Sequence, residues 1–408
     1  MNLLEKYAEL AIRTGVNVQA GQTLRINVKA EHYEFARLLV KEAYACGAKK
    51  VIVEFNDDII GKEHAVHQDF DTYVEVPEWL KVKINSLLEE DLCNLSVYAP
   101  SPGLFADVDG EKLATASKNQ SEALKAYSDY MMANRGQWSL VSLPTKAWAK
   151  TVFPELPEDE AYEKLFDAIL YATRVTEEKD PVEAWKEHNA TLHHQNKVLN
   201  DYNFKSLHFK NSLGTDIVVG LVNDHIWSGG AEVAENGVVF NPNMPTEESF
   251  TMPDRTNVNG RVYSTKPLNY QGKLIDEFWL EFKDGVVIDF DAKKEKETLQ
   301  ALLDTDEGSR RIGEIALISH KSPISDLNIL FLNTLFDENA SCHMALGRAY
   351  PMNIKGGLEM TQEELLAHNS NDSLNHEDFM FGSEDMSIIG LTQDDKEVVV
   401  FDKGNFVI

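Results

Sequence analysis

Cysteine is scarce in this chain: Cys46, Cys93 and Cys342 are the only three in 408 residues, far apart and without a CxxC pair. That excludes a disulfide framework or a cysteine zinc ribbon, and it implies reduced thiols and a cytoplasmic setting. Positive charge is also short. Lys and Arg total 39 against 67 Asp and Glu, a formal net charge of -28, so a polyanion would be repelled at long range and nucleic acid is not an expected partner. No segment approaches the roughly 20 apolar residues of a membrane span, and no membrane association is expected. The opening MNLLEKYAELAIRTGVNV sets Glu5 and Glu9 among apolar residues, an amphipathic helix pattern unlike a secretory leader.

Several catalytic signatures are missing as well. There is no GxSxG for a serine nucleophile, no GxxxxGK[ST] phosphate loop and no GxGxxG after the first strand. HEDFM begins like the HExxH zinc helix, but Met380 stands where the second histidine belongs, so the single-zinc arrangement lacks a ligand. Gly229-Gly230 and Gly356-Gly357 fit neither phosphate pattern and read as turns.

What is present, at 43% hydrophobic residues, is enough for two domains with a core each. The first half alternates: TLRINV (23 to 28), a helical HYEFARLLVKEAYACG, KKVIVEF (49 to 55), a helical EWLKVKINSLLEEDL, then NLSVYAP (94 to 100). WSLVSLP, between the helical SEALKAYSDYMMANRG and YEKLFDAILYATRV, continues the series. This predicts an α/β N-terminal domain, residues 1–200, with a mainly parallel sheet and flanking helices. A polar helix over 181–202 serves as connector. After residue 204, SLHFKN and TDIVVGLV are joined by a glycine turn, and further strands turn at Gln271-Gly272 and Asp284-Gly285. Residues 201–408 are therefore expected to form an α+β C-terminal domain rich in antiparallel strands.

Ligand-type side chains gather in that second domain. His376 and Asp378 alternate along a strand-like HEDFM, which puts both on one face, with Glu377, Phe379 and Phe381 on the other. Glu314 interrupts the apolar run IGEIAL, where a carboxylate is costly unless paired or bound to a metal. His343 and Tyr350 are seven apart, about two turns if the segment is helical, which would give them a shared face. Glu247 and Glu248 in PTEES cannot be told apart by pattern. Glu338 in FDENASCH is a further candidate, against its reading as a helix N-terminal carboxylate, and Asp337 is a weaker alternative for either part. His64 with His67, and His188 with His193 and His194, read instead as solvated helix faces.

The strings NMPTEESFTMPDRTNVNGRVYSTKPL, TDEGSRRIGEIAL, SPISDLNILFLNTLFDENASCHMALGRAY and HEDFMFGSEDMSIIG together resemble the M29 metallo-aminopeptidases, the thermophilic-type aminopeptidases, and the likeness extends over almost the whole chain. Carried over, it implies metal ligands at Glu248, Glu314, His343, His376 and Asp378, with Tyr350 at the same centre; only the resemblance selects Glu248 over Glu247. A set of carboxylates and imidazoles suits two divalent metal ions, Zn, Co or Mn. The expected activity is release of N-terminal amino acids from short peptides with a free N-terminus, by a water activated at that centre. Glu314 would be the general base or a bridging ligand; Tyr350 would ligate a metal or donate to the oxyanion. A homodimer with a partly enclosed active-site cavity is implied too. The alternatives are another two-metal hydrolase of the phosphoesterase type, or a non-catalytic metal-binding dimer.

Overall fold

In a computed structural model of the protein, which describes residues 2–270 and 273–408, the chain separates into two compact units. One comprises Met1–Glu187 and Ala231–Pro245; the other comprises His188–Gly230 and Thr246–Ile408. The boundary expected at residue 200 lies inside a single helix, Pro181–Tyr202.

The first unit is built on a parallel sheet of β1 (Thr23–Lys29), β2 (Lys50–Asn56), β3 (Leu92–Tyr98) and β4 (Trp138–Ser142), ordered β2-β1-β3-β4. Leu24, Ile26 and Val28 of β1 are fully buried, as an inner strand covered by helices requires. The amphipathic opening is the helix Leu3–Leu10, started by a capping box in which Asn2 and Glu5 exchange backbone-to-side-chain hydrogen bonds of 2.8 and 2.9 Å. The returning segment adds the ribbon β7 (Glu232–Val233) and β8 (Val239–Phe240), with Phe240 against Trp138 at 6.3 Å between ring centroids. The expected α/β layer is borne out.

The second unit holds two antiparallel sheets. The larger contains β5 (Ser206–Lys210), β6 (Asp216–Leu221), β10 (Pro253–Tyr263), β11 (Leu268–Tyr270), β12 (Lys273–Lys283), β13 (Val286–Lys294), β17 (Ser387–Leu391), β18 (Glu397–Asp402) and β19 (Asn405–Phe406). The β12–β13 hairpin turns at Asp284-Gly285 with φ of +50° and +80°, the left-handed pair such a tight turn demands; the Gln271-Gly272 turn lies outside the described residues. The smaller sheet is β9 (Ser249–Thr251), β14 (Ile312–Leu317), β15 (His343–Gly347) and β16 (His376–Met380), ordered β16-β15-β14-β9. Ile315, Leu317, Met344, Leu346 and Phe379 turn one face of it into a core shared with Phe278 and Leu280 of β12. That leaves the opposite face for the polar residues.

Candidate metal centre

Strand register gathers the candidate residues. Directly opposed residues in an antiparallel pair share a face. Glu314 pairs with Ala345, and Ala345 pairs with Asp378. His343, two residues before Ala345, and His376, two before Asp378, fall on the same face by alternation. Phe250 of β9 pairs with Ala316, so continuing the alternation backwards brings Glu248 to this face and turns Glu247 away. Indeed Glu247 lies toward His188, 3.9 Å from its Nε2, while Glu248 lies 3.3 Å from His343. One register thus separates two glutamates that the sequence could not.

Two glycines allow the strands this close. A Cβ on Gly347, at φ +111°, would stand 2.2 Å from the Asn375 carbonyl oxygen, and one on Gly313 would stand 2.3 Å from the Gly347 carbonyl oxygen. Backbone meets backbone on both sides of the cluster, and no side chain fits between.

The imidazoles are held so that Nε2 faces the acids. His376 Nδ1 lies 2.7 Å from the Arg348 carbonyl, which can only accept, so Nδ1 carries the proton. Its Nε2 stands 3.6 Å from Asp378 and 3.7 Å from Glu314. His343 directs Nε2 to Glu248 at 3.3 Å, Glu314 at 3.5 Å and Asp378 at 3.9 Å, with Nδ1 3.4 Å from the Ser341 carbonyl. Anchoring one ring nitrogen on a carbonyl is how metal-ligating histidines are oriented.

The cluster carries an excess of negative charge. Among the described residues, Glu248, Glu314 and Asp378 form ion pairs only with the two imidazoles. Burial, then the neighbouring Asp378 and Glu248, push the Glu314 carboxyl up despite hydrogen bonding to His343. Glu338 is pushed well up by burial and by Asp378 and Glu248. For His343, burial acts downward, but hydrogen bonds to Glu248 and Glu314 carry it well above its usual range. His376 is raised likewise, with Asp378 and Glu314 overcoming burial. Acids that resist ionising beside histidines that attract protons mark a place short of positive charge.

A divalent cation fits that shortfall. Glu248, Glu314 and His343 each offer a donor atom, all within 4.8 Å of one another. Bonds of about 2.0–2.2 Å to a common ion put neighbouring donors roughly 3 Å or slightly more apart, close to the separations above. Asp378 Oδ1 is buried and lacks a hydrogen-bond partner among the described residues, an expensive state unless another group satisfies it.

Tyr350 joins by a route different from the one expected. His343–Gly347 is a strand, and Tyr350 follows it in a loop before the short 3-10 turn Pro351–Asn353. The helical spacing argument is therefore wrong: Ala345 and Leu346 belong to a sheet ladder, which outweighs local helix preference. The loop nevertheless sets Tyr350 beside His376, the rings tilted with centroids 4.6 Å apart, and edge-on to Phe250 at 6.2 Å. Burial and the surrounding Glu314 and Asp378 push its hydroxyl far up, so it stays protonated.

Glu338 and Asp337 part company. Glu338 caps the C-terminal end of the short helix Thr334–Asp337 and opens the turn Glu338–Ala340, so attraction to a helix N-terminus does not explain it. Asp337 instead accepts the backbone N–H groups of Phe331 at 2.7 Å and Asn333 at 2.9 Å. His188 also corrects the sequence reading: it is largely buried, with Nε2 donating to the Thr246 carbonyl at 2.7 Å. His193 and His194 are exposed, as expected, and exposed His67 pairs with Glu63 at 3.0 Å.

Beside the cluster lies a cavity of about 280 Å³, walled by Pro267, Leu268, Leu330, Leu332 and Met380 and reached by Glu338, His376, Glu377 and Asp378. No sequence pattern points to this wall. Leu330 and Leu332 sit in an irregular loop, where no periodicity marks them.

Carboxylates and imidazoles on one sheet face, next to a cavity, define a candidate centre for divalent cations of the kind metallohydrolases use. A family model described as "Thermophilic metalloprotease (M29)" matches residues 1–406, and the chain belongs to that family. It is 48% identical over 403 residues to Aminopeptidase 2 of Geobacillus stearothermophilus, covering 99% of this chain and 97% of that one. With Aminopeptidase T of Thermus aquaticus it shares 39% identity over 405 residues, covering 99% and 98%. Wild-type AmpT from Thermus thermophilus superimposes with a TM-score of 0.92 at 37% identity, covering 100% of this chain and 99% of that chain.

Proposed function

We propose that this protein is a metal-dependent aminopeptidase that removes N-terminal amino acids from short peptides. The observation that carries this reading is the convergence of Glu248, Glu314, His343, His376 and Asp378 on one sheet face beside a cavity, in a chain whose relatives are named aminopeptidases. These five residues would hold two divalent ions, with Glu338 and Tyr350 at the margin; zinc, cobalt and manganese all suit the donor set. The bound ions supply an acidified water and positive charge for the developing oxyanion.

The chain's own groups handle protons and orientation. Glu314, buried and raised in proton affinity, accepts a proton from the attacking water and returns it to the leaving amine. The Tyr350 hydroxyl, kept protonated by burial, donates a hydrogen bond to the carbonyl oxygen as charge builds there. The carbonyls of Arg348 and Ser341 keep His376 and His343 in the tautomer that leaves Nε2 free for binding.

Among the described residues no lysine or arginine lines the cavity, which disfavours a phosphate ester as substrate. The three free thiols agree with a reducing cytoplasm, and the family resemblance supports a homodimer. Assay of an aminoacyl-p-nitroanilide, its N-blocked counterpart and a phosphate ester tests the reading. Hydrolysis of the first alone, abolished by a chelator, is expected; cleavage of the blocked compound or the ester at a comparable rate overturns it.

A further inference from the structure

Leu332, on the cavity wall, has a φ of +56°, a left-handed conformation that is costly for a branched side chain and persists only when surrounding structure imposes it. Asp337 imposes it here. Its Oδ1 accepts the Phe331 N–H and its Oδ2 the Asn333 N–H, so the carboxylate grips the turn on both sides of Leu332. The gripped loop presents Leu330 and Leu332 to the cavity, along with Leu268 and Met380, while Glu338, His376 and Asp378 reach it from the candidate centre. Asp337, Glu338, Glu377 and Asp378 are among the lining residues, with His376 as the basic side chain beside them, and among the described residues neither lysine nor arginine lines the space. At about 280 Å³, the space falls just below the range of roughly 300–1,000 Å³ typical of pockets for drug-sized ligands. It suits one side chain better than a length of peptide.

Resting on the aminopeptidase reading, we propose that Leu332 is the specificity-determining wall for the side chain of the substrate's N-terminal residue. Asp337 acts through it as a positioning residue. The pocket selects uncharged apolar side chains by contact with Leu332 and its neighbours, and it disfavours acidic ones because Asp337 and Glu377, away from the candidate centre's donor set, line it with carboxylates. Strain at Leu332 serves this end: the turn fixes its Cβ direction, so the wall is formed before substrate arrives.

Kinetics of the metal-loaded protein on the Leu, Ala and Glu p-nitroanilides, for wild type, Leu332→Gly, Asp337→Ala and the double variant, test this. Glycine adopts φ +56° without strain, so Leu332→Gly keeps the turn while deleting the wall. The ratio of kcat/KM for Leu over Ala is expected to fall about 10-fold in Leu332→Gly, chiefly through KM, as loss of hydrophobic contact predicts. Asp337→Ala should lower the same ratio, and the double variant should fall no further than the larger single effect. Bound metal should match wild type, and the calorimetric affinity for L-leucine over L-alanine, which needs no turnover, should fall in parallel. The Glu compound should be the poorest substrate of wild type. An active wild type with an unchanged Leu-to-Ala ratio in Leu332→Gly overturns this proposal alone, as does preference for the Glu compound. A wild type inactive on all three overturns the aminopeptidase reading and this proposal with it.

Discussion

Glu314 and Asp378 share one row of the smaller sheet, each paired with Ala345 from opposite sides. The methyl between them is the smallest side chain that keeps a Cβ there, and it leaves the space over the row to the two carboxylates. Ala345→Val is expected to push a branched side chain into that space. Overpacking costs about 1–3 kcal/mol, a moderate loss of stability, whereas metal content and activity should both collapse. Metal stoichiometry and thermal unfolding separate these effects; full metal content in the variant would show that the space is not the binding volume.

The two adjacent glutamates give a sharper contrast. Glu248→Gln should lose metal and activity, because it removes a charged donor 3.3 Å from His343, whereas Glu247→Gln should keep both, because it faces His188. Equal loss in the two variants would contradict the register argument.

Glu314→Gln preserves size and an oxygen donor but removes the proton acceptor. Turnover should fall roughly 100-fold or more, with metal retained at least in part and no loss of thermal stability. Near-wild-type turnover would exclude Glu314 as general base.

Stripping metal should destabilise the second unit, since a ligand that binds only the folded state adds to its stability. Chelation should lower the unfolding temperature, and zinc, cobalt or manganese should restore both it and peptide hydrolysis. An unchanged unfolding temperature after verified metal removal would mean that the acidic cluster stands without cationic help.

Away from the centre, His225 predicts an acid sensitivity. Burial lowers its pKa, its Nδ1 donates to the Val222 carbonyl at 2.9 Å, and its Nε2 is buried without a partner among the described residues. The unfolded chain takes up a proton near its ordinary pKa of about 6.5, while the folded chain resists until lower pH. Stability is therefore present above that value and lost as pH falls below it, by at most about 1.4 kcal/mol per pH unit for this group. Urea unfolding at pH 7 and pH 5 should show a smaller drop in His225→Asn than in wild type. An identical drop would assign the acid sensitivity to other groups, including His32, which burial also lowers.

The parts legible in the sequence were those written in local pattern. IGEIAL announced a buried strand with a misplaced charge, HEDFM announced two candidate ligands on one face, and Asp284-Gly285 announced a hairpin. The His343–Tyr350 relation was misread because seven residues fit a helix and a strand with a loop equally well, and only pairing across the sheet decides. Glu248 stayed ambiguous for a related reason: its face depends on the register of β9 against β14, a long-range fact absent from PTEES. Leu332 was invisible because its conformation is set by a carboxylate five positions onward, in a loop without periodicity.

The close packing of Gly313 and Gly347 makes the two sides of the centre unequal as material for change. On the sheet side, where main chain abuts main chain, almost any replacement must shift a strand and carry Glu314 or His376 with it. On the loop side, Leu330 and Leu332 hang from a turn fixed mainly by Asp337, and their side chains can vary without moving a strand. Diversification of substrate preference in proteins of this architecture should therefore accumulate in the loop, while the sheet wall stays fixed, and a library aimed at new selectivity would find its tolerated variants around residues 330–332.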